Sequence, residues 1–130
     1  MTDAESERFN LLLLQRFPQL AKTWREVDES PWDPATTGSM VFYNDVLMDT
    51  LPPVIAAAAG GDSAAKQELR EVVAFAEELA ADPGGLVIVE HGMMASFVDG
   101  ATDYWEIVSM MGPLTKEIFD LQWGPEPPPS

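Results

Sequence analysis

Residues 63–82, SAAKQELREVVAFAEELAAD, repeat their apolar side chains at the spacing of an amphipathic α-helix. A period of 3.6 residues places such side chains on one face, which must be buried against another element. Asp62 comes directly before the segment and is suited to cap its first turn. The segment therefore predicts a helix and requires neighbours that cover its apolar face. That face consists of Leu69, Val72, Val73, Ala76, Leu79 and Ala80.

The N-terminal part of the chain predicts two further helices that are separated by a bend. Residues 2–17 have helical periodicity, and Pro18 is suited to the first turn of a second helix because proline lacks the N–H that this turn leaves unpaired. The predicted apolar faces are Phe9, Leu12, Leu13 and Phe17 in the first helix, and Leu20, Trp24 and Val27 in the second.

Proline and glycine residues in the next part of the sequence predict a loop and the end of a helix. Residues 28–39, DESPWDPATTGS, have the composition of a loop, and the loop contains Trp32. This tryptophan is expected either to fold back on the core or to be offered to a partner, and its large apolar surface favours the core. Residues 40–51 predict a helix, which Pro52 and Pro53 are expected to break or kink, since proline removes a helical hydrogen bond and clashes with the preceding turn.

The stretch GGLVIVEHGMMASFVDG, residues 84–100, is compatible with two kinds of element. The β-branched run at residues 86–89 resembles a short strand, but the sequence offers no convincing second strand to pair with it. The surrounding helical pattern therefore favours a largely buried helix, in which Gly92 would let a neighbouring helix approach closely. The positions at helical spacing are Leu86, Val89, Met93 and Phe97.

The C-terminal part predicts two short helices and a tail. One helix follows the turn at residues 99–103, and Pro113 begins the other. In the latter, Leu114, Ile118 and Leu121 form an apolar row. We predict an all-α fold, an irregular bundle or a stack of helical hairpins with about six to seven helices. Residues 1–123 are expected to form a single helical domain, and residues 124–130 a Pro-rich flexible tail.

The sequence offers little material for catalysis. It has no cysteine and one histidine, His91, so that thiolate chemistry is excluded and a zinc site is not expected. Ser96 lies near His91 without the flanking glycines of a nucleophile elbow, and Asp99 is two helical turns away. We therefore predict a protein that is not an enzyme and that uses no metal or cofactor, with His91 as a structural or interface residue.

The charge of the chain is strongly negative, with 22 acidic residues against seven basic ones and a net charge of −15. Such a chain repels nucleic acid and anionic membranes but is attracted to basic surfaces. Residues 83–130 carry seven acids and one base, with aromatic residues among them. Acids beside aromatic residues suit the binding of a basic, partly apolar protein, although solubility and core packing explain them equally well. The start MTDAESERF lacks the positive segment of a signal peptide, which predicts a cytoplasmic protein.

A pattern typical of one protein family lies between residues 66 and 121. It occupies two segments, ELREVVAFAEELAADPGGLVIVEHGMMASFVDG and MGPLTKEIFDLQW. The pattern consists of Glu71, Phe75, Glu77, Glu78 and Leu79, then Phe97 and Val98, then Gly112, Pro113 and Thr115. It resembles a family of small acidic helical domains of bacterial polymorphic toxin systems, in which such proteins serve as immunity factors. The resemblance implies an inhibitor that acts by binding, and it implies a helix over residues 86–98.

These observations give a leading hypothesis and an alternative. The leading hypothesis is a cytoplasmic immunity protein whose acidic surface binds and neutralises a cognate bacterial toxin that has a basic surface. The alternative is a nucleic-acid-mimicking inhibitor or adaptor of a basic DNA-binding protein. Neither requires direct contact with nucleic acid or membrane. The predicted contact residues are Asp99, Asp103, Tyr104, Trp105 and Glu106, followed by Glu77 and Glu78.

Overall fold

A computed structural model describes residues 3–27, 32–98 and 104–123 of the chain. Within these ranges the chain is helical without strands, which confirms the predicted all-α class. Because α5, a π-helical segment and α6 follow one another without a break, they form one helix, and the described residues contain seven helices. The elements are α1 (Asp3–Arg16), α2 (Pro18–Val27), α3 (Ser39–Ala59), α4 (Ser63–Ala80), α5 (Pro83–Ile88), the π segment (Val89–Met93), α6 (Met94–Val98), α7 (Tyr104–Val108) and α8 (Pro113–Trp123).

Helix α3 lies at the centre and contacts α1, α2, α4, α5, the π segment, α6 and α7. Its side chains Phe42 and Tyr43 are completely buried. The ring of Phe42 packs edge-on against Trp24 of α2, with 5.3 Å between ring centroids. The Tyr43 hydroxyl donates a hydrogen bond to the carbonyl of Phe9 in α1. The core is therefore a shell of shorter helices around one long apolar helix.

The break expected at Pro52 and Pro53 is not found, because α3 continues through both residues to Ala59. Leu51 and Ile55, on either side of the proline pair, are fully buried. Burial of a side chain of this size stabilises by about 1.5–3 kcal/mol, which offsets the roughly 3 kcal/mol that a proline costs inside a helix. Tertiary packing of α3 thus overrides the local effect of the prolines.

The helix over residues 83–98 confirms the prediction for the stretch that also resembled a strand. Asp82 caps its first turn by accepting a 2.9 Å hydrogen bond from the backbone N–H of Gly84. A side-chain Cβ at Gly92 would lie 3.0 Å from the carbonyl oxygen of Met40. Gly92 therefore allows the π segment to approach the backbone of α3, as the sequence predicted.

Helix α4 buries all six residues of its predicted apolar face, but the predicted faces of α1, α2 and α8 are partly wrong. In α1 the buried line is Phe9, Leu13 and Phe17, and Leu12 is exposed. Polar Asn10 is buried beside this line, where its side-chain amide donates to the carbonyls of Pro34 and Thr37. The hydrogen bonds that hold the loop before α3 thus bury a polar residue that was not part of the predicted face.

Four large apolar side chains outside α1 are also exposed, contrary to expectation. Trp32, for which the core was favoured, is 52% exposed, and Leu121 is 81% exposed. Val27 and Leu114 are exposed as well. Helix α8 instead buries Thr115, Ile118 and Phe119. The predicted tail, residues 124–130, lies outside the described residues. In the part of the chain that is described, no helix combines the length and apolar character needed to cross a membrane.

We expect Gly85→Ala to destabilise the fold by roughly 2 kcal/mol or more, because the added Cβ would lie 2.2 Å from the carbonyl oxygen of Leu79. Gly38→Ala is the matched control, since a Cβ there has nothing within 4 Å, and it should change stability by less than about 1 kcal/mol. Urea denaturation measures both variants. Equal midpoints for the two would contradict the close packing of α5 on the end of α4.

Candidate functional site

The predicted contact residues do not all fall within the described part of the chain. Asp99 and Asp103 lie outside it, between α6 and α7 in the sequence. Tyr104 and Trp105 begin α7, and Glu106 follows them with a half-buried side chain. The involvement of these five residues in partner binding stays a prediction.

Glu77, a predicted contact residue, joins α4 to the first turn of α8. One carboxylate oxygen, Oε1, accepts hydrogen bonds from the backbone N–H of Thr115 at 2.9 Å and from its hydroxyl at 2.8 Å. The other, Oε2, accepts from the N–H of Leu114 at 3.0 Å. Burial raises the pKa of Glu77, but the hydrogen bonds from Thr115 and Leu114 more than offset it and leave this pKa below its ordinary value. The carboxylate therefore acts as a helix cap supplied by another helix.

The motif Gly112-Pro113-x-Thr115 supplies the other half of this cap. A Cβ at Gly112 would lie 2.6 Å from the carboxyl carbon of Glu77, so glycine leaves the space that the carboxylate needs. Pro113 is the first residue of α8, where the absence of an N–H costs little. Several residues that carry the resemblance to toxin-system domains thus have an architectural explanation in this fold.

Glu78, the second predicted contact on α4, pairs with Arg16 of α1 at an N–O distance of 2.9 Å. Both side chains are about half exposed, and the Arg16 guanidinium also lies 5.3 Å from the centroid of the Phe75 ring. The pair lies in an open cleft between α1 and α4 that is also lined by Arg8, Leu11, Leu12 and Asp82. Charges of both signs meet in this cleft, so its field does not favour a basic partner.

A second groove, of about 260 Å³, lies between α8 and the helix over residues 83–98. We call it the α8 groove; it is lined by Ala80, Leu86, Glu90, Leu114, Glu117, Ile118, Leu121 and Gln122. The side-chain amide of Gln122 donates to the carbonyl of Glu90 at 3.0 Å and ties the end of α8 to the π segment. Five of its eight described lining residues are apolar, and the two charged ones, Glu90 and Glu117, are both acidic.

His91 is exposed on the π segment, in an open depression with Met40, Val41, Asn44 and Val87. Among these lining residues there is no carboxylate that would orient an imidazole for acid–base catalysis.

Ser96 is buried, with its hydroxyl within hydrogen-bonding distance of the Asn44 side chain and the Gly92 carbonyl. The structure thus does not bring Ser96 and His91 together as a catalytic pair. Three or more potential metal ligands are not clustered anywhere in the described ranges.

Comparisons with known proteins give the chain no relative. It matches no family model, and neither curated proteins nor solved structures gave a match. The geometry and charge of the chain itself are therefore the basis for assigning it a function.

Sequence reasoning missed both the Glu77 cap and the α8 groove. The cap joins residues 38 positions apart, and periodicity within one helix carries no signal for such a pair. The groove is not evident from the sequence because helical periodicity places Leu114 and Leu121 on a buried face, whereas both are exposed. The sequence signal that was available is the acidic bias of residues 83–130, which points to this end of the molecule.

We expect Glu77→Gln to lower the free energy of unfolding by about 1–2 kcal/mol at pH 7, because one carbonyl oxygen replaces two charged acceptors at the α8 cap. The pKa of Glu77 is lowered in the folded protein, so its contribution is present above the ordinary glutamate pKa and is lost as pH falls through the folded-state pKa. The difference in the free energy of unfolding between wild type and Glu77→Gln should therefore become smaller at acidic pH.

Chemical denaturation of wild type and variant between about pH 3 and pH 7 measures this difference. Glu71→Gln, an exposed change on the same helix, is the control and should stay within about 0.5 kcal/mol of wild type. A Glu77→Gln variant as stable as this control at neutral pH would contradict the cap.

Proposed function

We propose that this chain is an immunity-type inhibitor that neutralises a cognate bacterial toxin by binding a basic surface of the toxin. The observation that carries the proposal is the net charge of −15, which remains after all seven basic residues are set against acidic ones. In this proposal the protein makes and breaks no covalent bond. Its action is to cover the basic cleft or substrate groove of its target and to exclude an anionic substrate from it.

The distribution of charge supports a binding role at the surface. The core consists of apolar side chains and a few small polar ones, and in the described ranges no acidic residue is buried. The described ion pairs, Arg16 with Glu78 and Lys116 with Asp120, occupy two of the seven basic residues. The acidic excess therefore creates an outward negative field, which accelerates encounter with a basic protein.

The rigid packing around α3 supports inhibition by a preformed surface. A partner that binds a fixed surface loses less conformational entropy than one that must order flexible segments, and this favours slow dissociation. An interface of roughly 800 Å² on each partner is sufficient for a stable complex. A helical bundle of this size provides such an area without rearrangement.

Co-expression with the product of the neighbouring open reading frame tests the proposal. We expect the neighbouring product alone to arrest growth, and the pair to restore growth and to co-purify. Growth arrest that this chain does not relieve would contradict the proposal. Co-purification with a housekeeping DNA-binding protein in place of a toxin would favour the mimic of nucleic acid.

We expect the association rate with the toxin to fall at least about tenfold between about 0.02 and 0.5 M NaCl, because exposed charges are screened over roughly 10 Å at 0.1 M. Glu106→Lys, in the predicted contact region, should slow association by about three- to tenfold at low salt. Glu26→Lys makes the same change in net charge on exposed α2 and should have the smaller effect. Stopped-flow measurement of wild type and both variants shows whether the charge near Glu106 or the net charge alone sets the association rate. An association rate that does not depend on salt would contradict electrostatic attraction.

A further inference from the structure

We propose that the α8 groove binds an amphipathic helix of the partner that presents apolar side chains to Leu114 and Leu121 and Lys or Arg to Glu90 and Glu117. The inference rests on the proposed function for the identity of the partner. The preference of the groove for a basic amphipathic helix can be tested separately.

Two of the three side chains in the apolar row of α8 are exposed. Leu114, Ile118 and Leu121 stand at i, i+4 and i+7, which places them on one side of the helix. Ile118 is buried, but Leu114 is 39% exposed and Leu121 is 81% exposed. The row spans roughly 10 Å along the axis, which matches about two turns of a second helix. A groove with this spacing suits an amphipathic helix that docks through its own apolar side chains at i, i+3 and i+7.

The charges beside the row select a basic occupant. Glu117 is exposed, Glu90 is half-buried, and the described residues that line the groove include no basic one. Lys116, on the same helix, is paired with Asp120 and packs over the Phe119 ring, and it does not line the groove. The last turn of α8 also has no basic residue to offset the negative end of its helix dipole. Apolar anchors flanked by Lys or Arg therefore complement the site.

The same charges disfavour the other occupants of an apolar groove. A second copy of the chain also carries a net charge of −15, and an anionic membrane is repelled in the same way. Residues 124–130, GPEPPPS, directly follow α8 but contain one acid and no base. None of these occupants supplies the positive charges that Glu90 and Glu117 call for.

The first experiment uses a synthetic amphipathic peptide of about 15 residues, built from leucine and lysine at helical spacing, and methyl NMR of the full chain. We expect the peptide to shift the methyl resonances of Leu114 and Leu121. A peptide with glutamate in place of lysine should leave them unchanged. Equal shifts at Leu11 and Leu12 in the mixed-charge cleft, or equal binding of the acidic peptide, would overturn the proposal. Contacts between the Leu121 methyl groups and proline rings of the chain's own tail in the free protein would also overturn it.

The second experiment uses Leu121→Gln, with Leu11→Gln as the control, because both leucines are exposed on helices and removal of either leaves the core intact. We expect Leu121→Gln to weaken peptide binding and toxin binding about tenfold or more, as for a central apolar anchor, and Leu11→Gln to leave both unchanged. Circular dichroism and urea denaturation establish that each variant is folded.

The outcomes separate this proposal from the proposed function. Suppose that wild type and Leu121→Gln neutralise the toxin equally and that the peptide shifts no resonance at the groove. This result would overturn the proposed role of the α8 groove and leave the proposed immunity function standing. Peptide binding at the groove without neutralisation of the neighbouring product supports the groove and overturns the immunity function. Loss of both activities in Leu121→Gln alone supports both.

Discussion

The burial of the apolar face of α3 against the surrounding helices is the constraint on which the rest of the structure depends. This helix packs against α1, α2, α4, α5, the π segment, α6 and α7, and its aromatic residues Phe42 and Tyr43 have no exposed surface. Because an apolar helix of this kind must be covered, the shorter helices are arranged around it with their own apolar faces inward. The two prolines within α3 are accommodated for the same reason, and charged side chains are left for the outer surface.

The position of helix α8 depends on α4, against which it packs. Glu77 binds the first turn of α8 through both carboxylate oxygens, and Gln122 binds its last turn to the carbonyl of Glu90. These two polar connections fix both ends of the helix, while Ile118 and Phe119 provide its buried side. The α8 groove is the space left between the two connections. A carboxylate that was expected to touch a partner thus positions the surface that we propose for binding.

Much of the fold was predictable from the sequence, and the exceptions have specific physical causes. The six-residue face of α4 and its Asp62 cap follow from local periodicity and capping, and the structure confirms both. The helix over residues 83–98 was predictable because an unpaired strand would leave backbone groups unsatisfied. The faces of α1 and α8 were only partly predictable. Asn10 takes a buried position to bind the loop, and Leu121 lies on a row that nothing in the described chain covers. The Glu77 cap depends on tertiary proximity, for which a single sequence has no pattern.

The central claim is that a preformed acidic surface with one apolar groove binds a basic protein. Hydrogen exchange of the chain, free and in complex with the neighbouring gene product, tests this claim most directly because it reports every backbone amide in one measurement. We expect added protection concentrated in α8 and in residues 86–91, with the amides of α1 and α2 unchanged. Protection confined to α1 and α2, or a complex that changes no amide in α8, would contradict it.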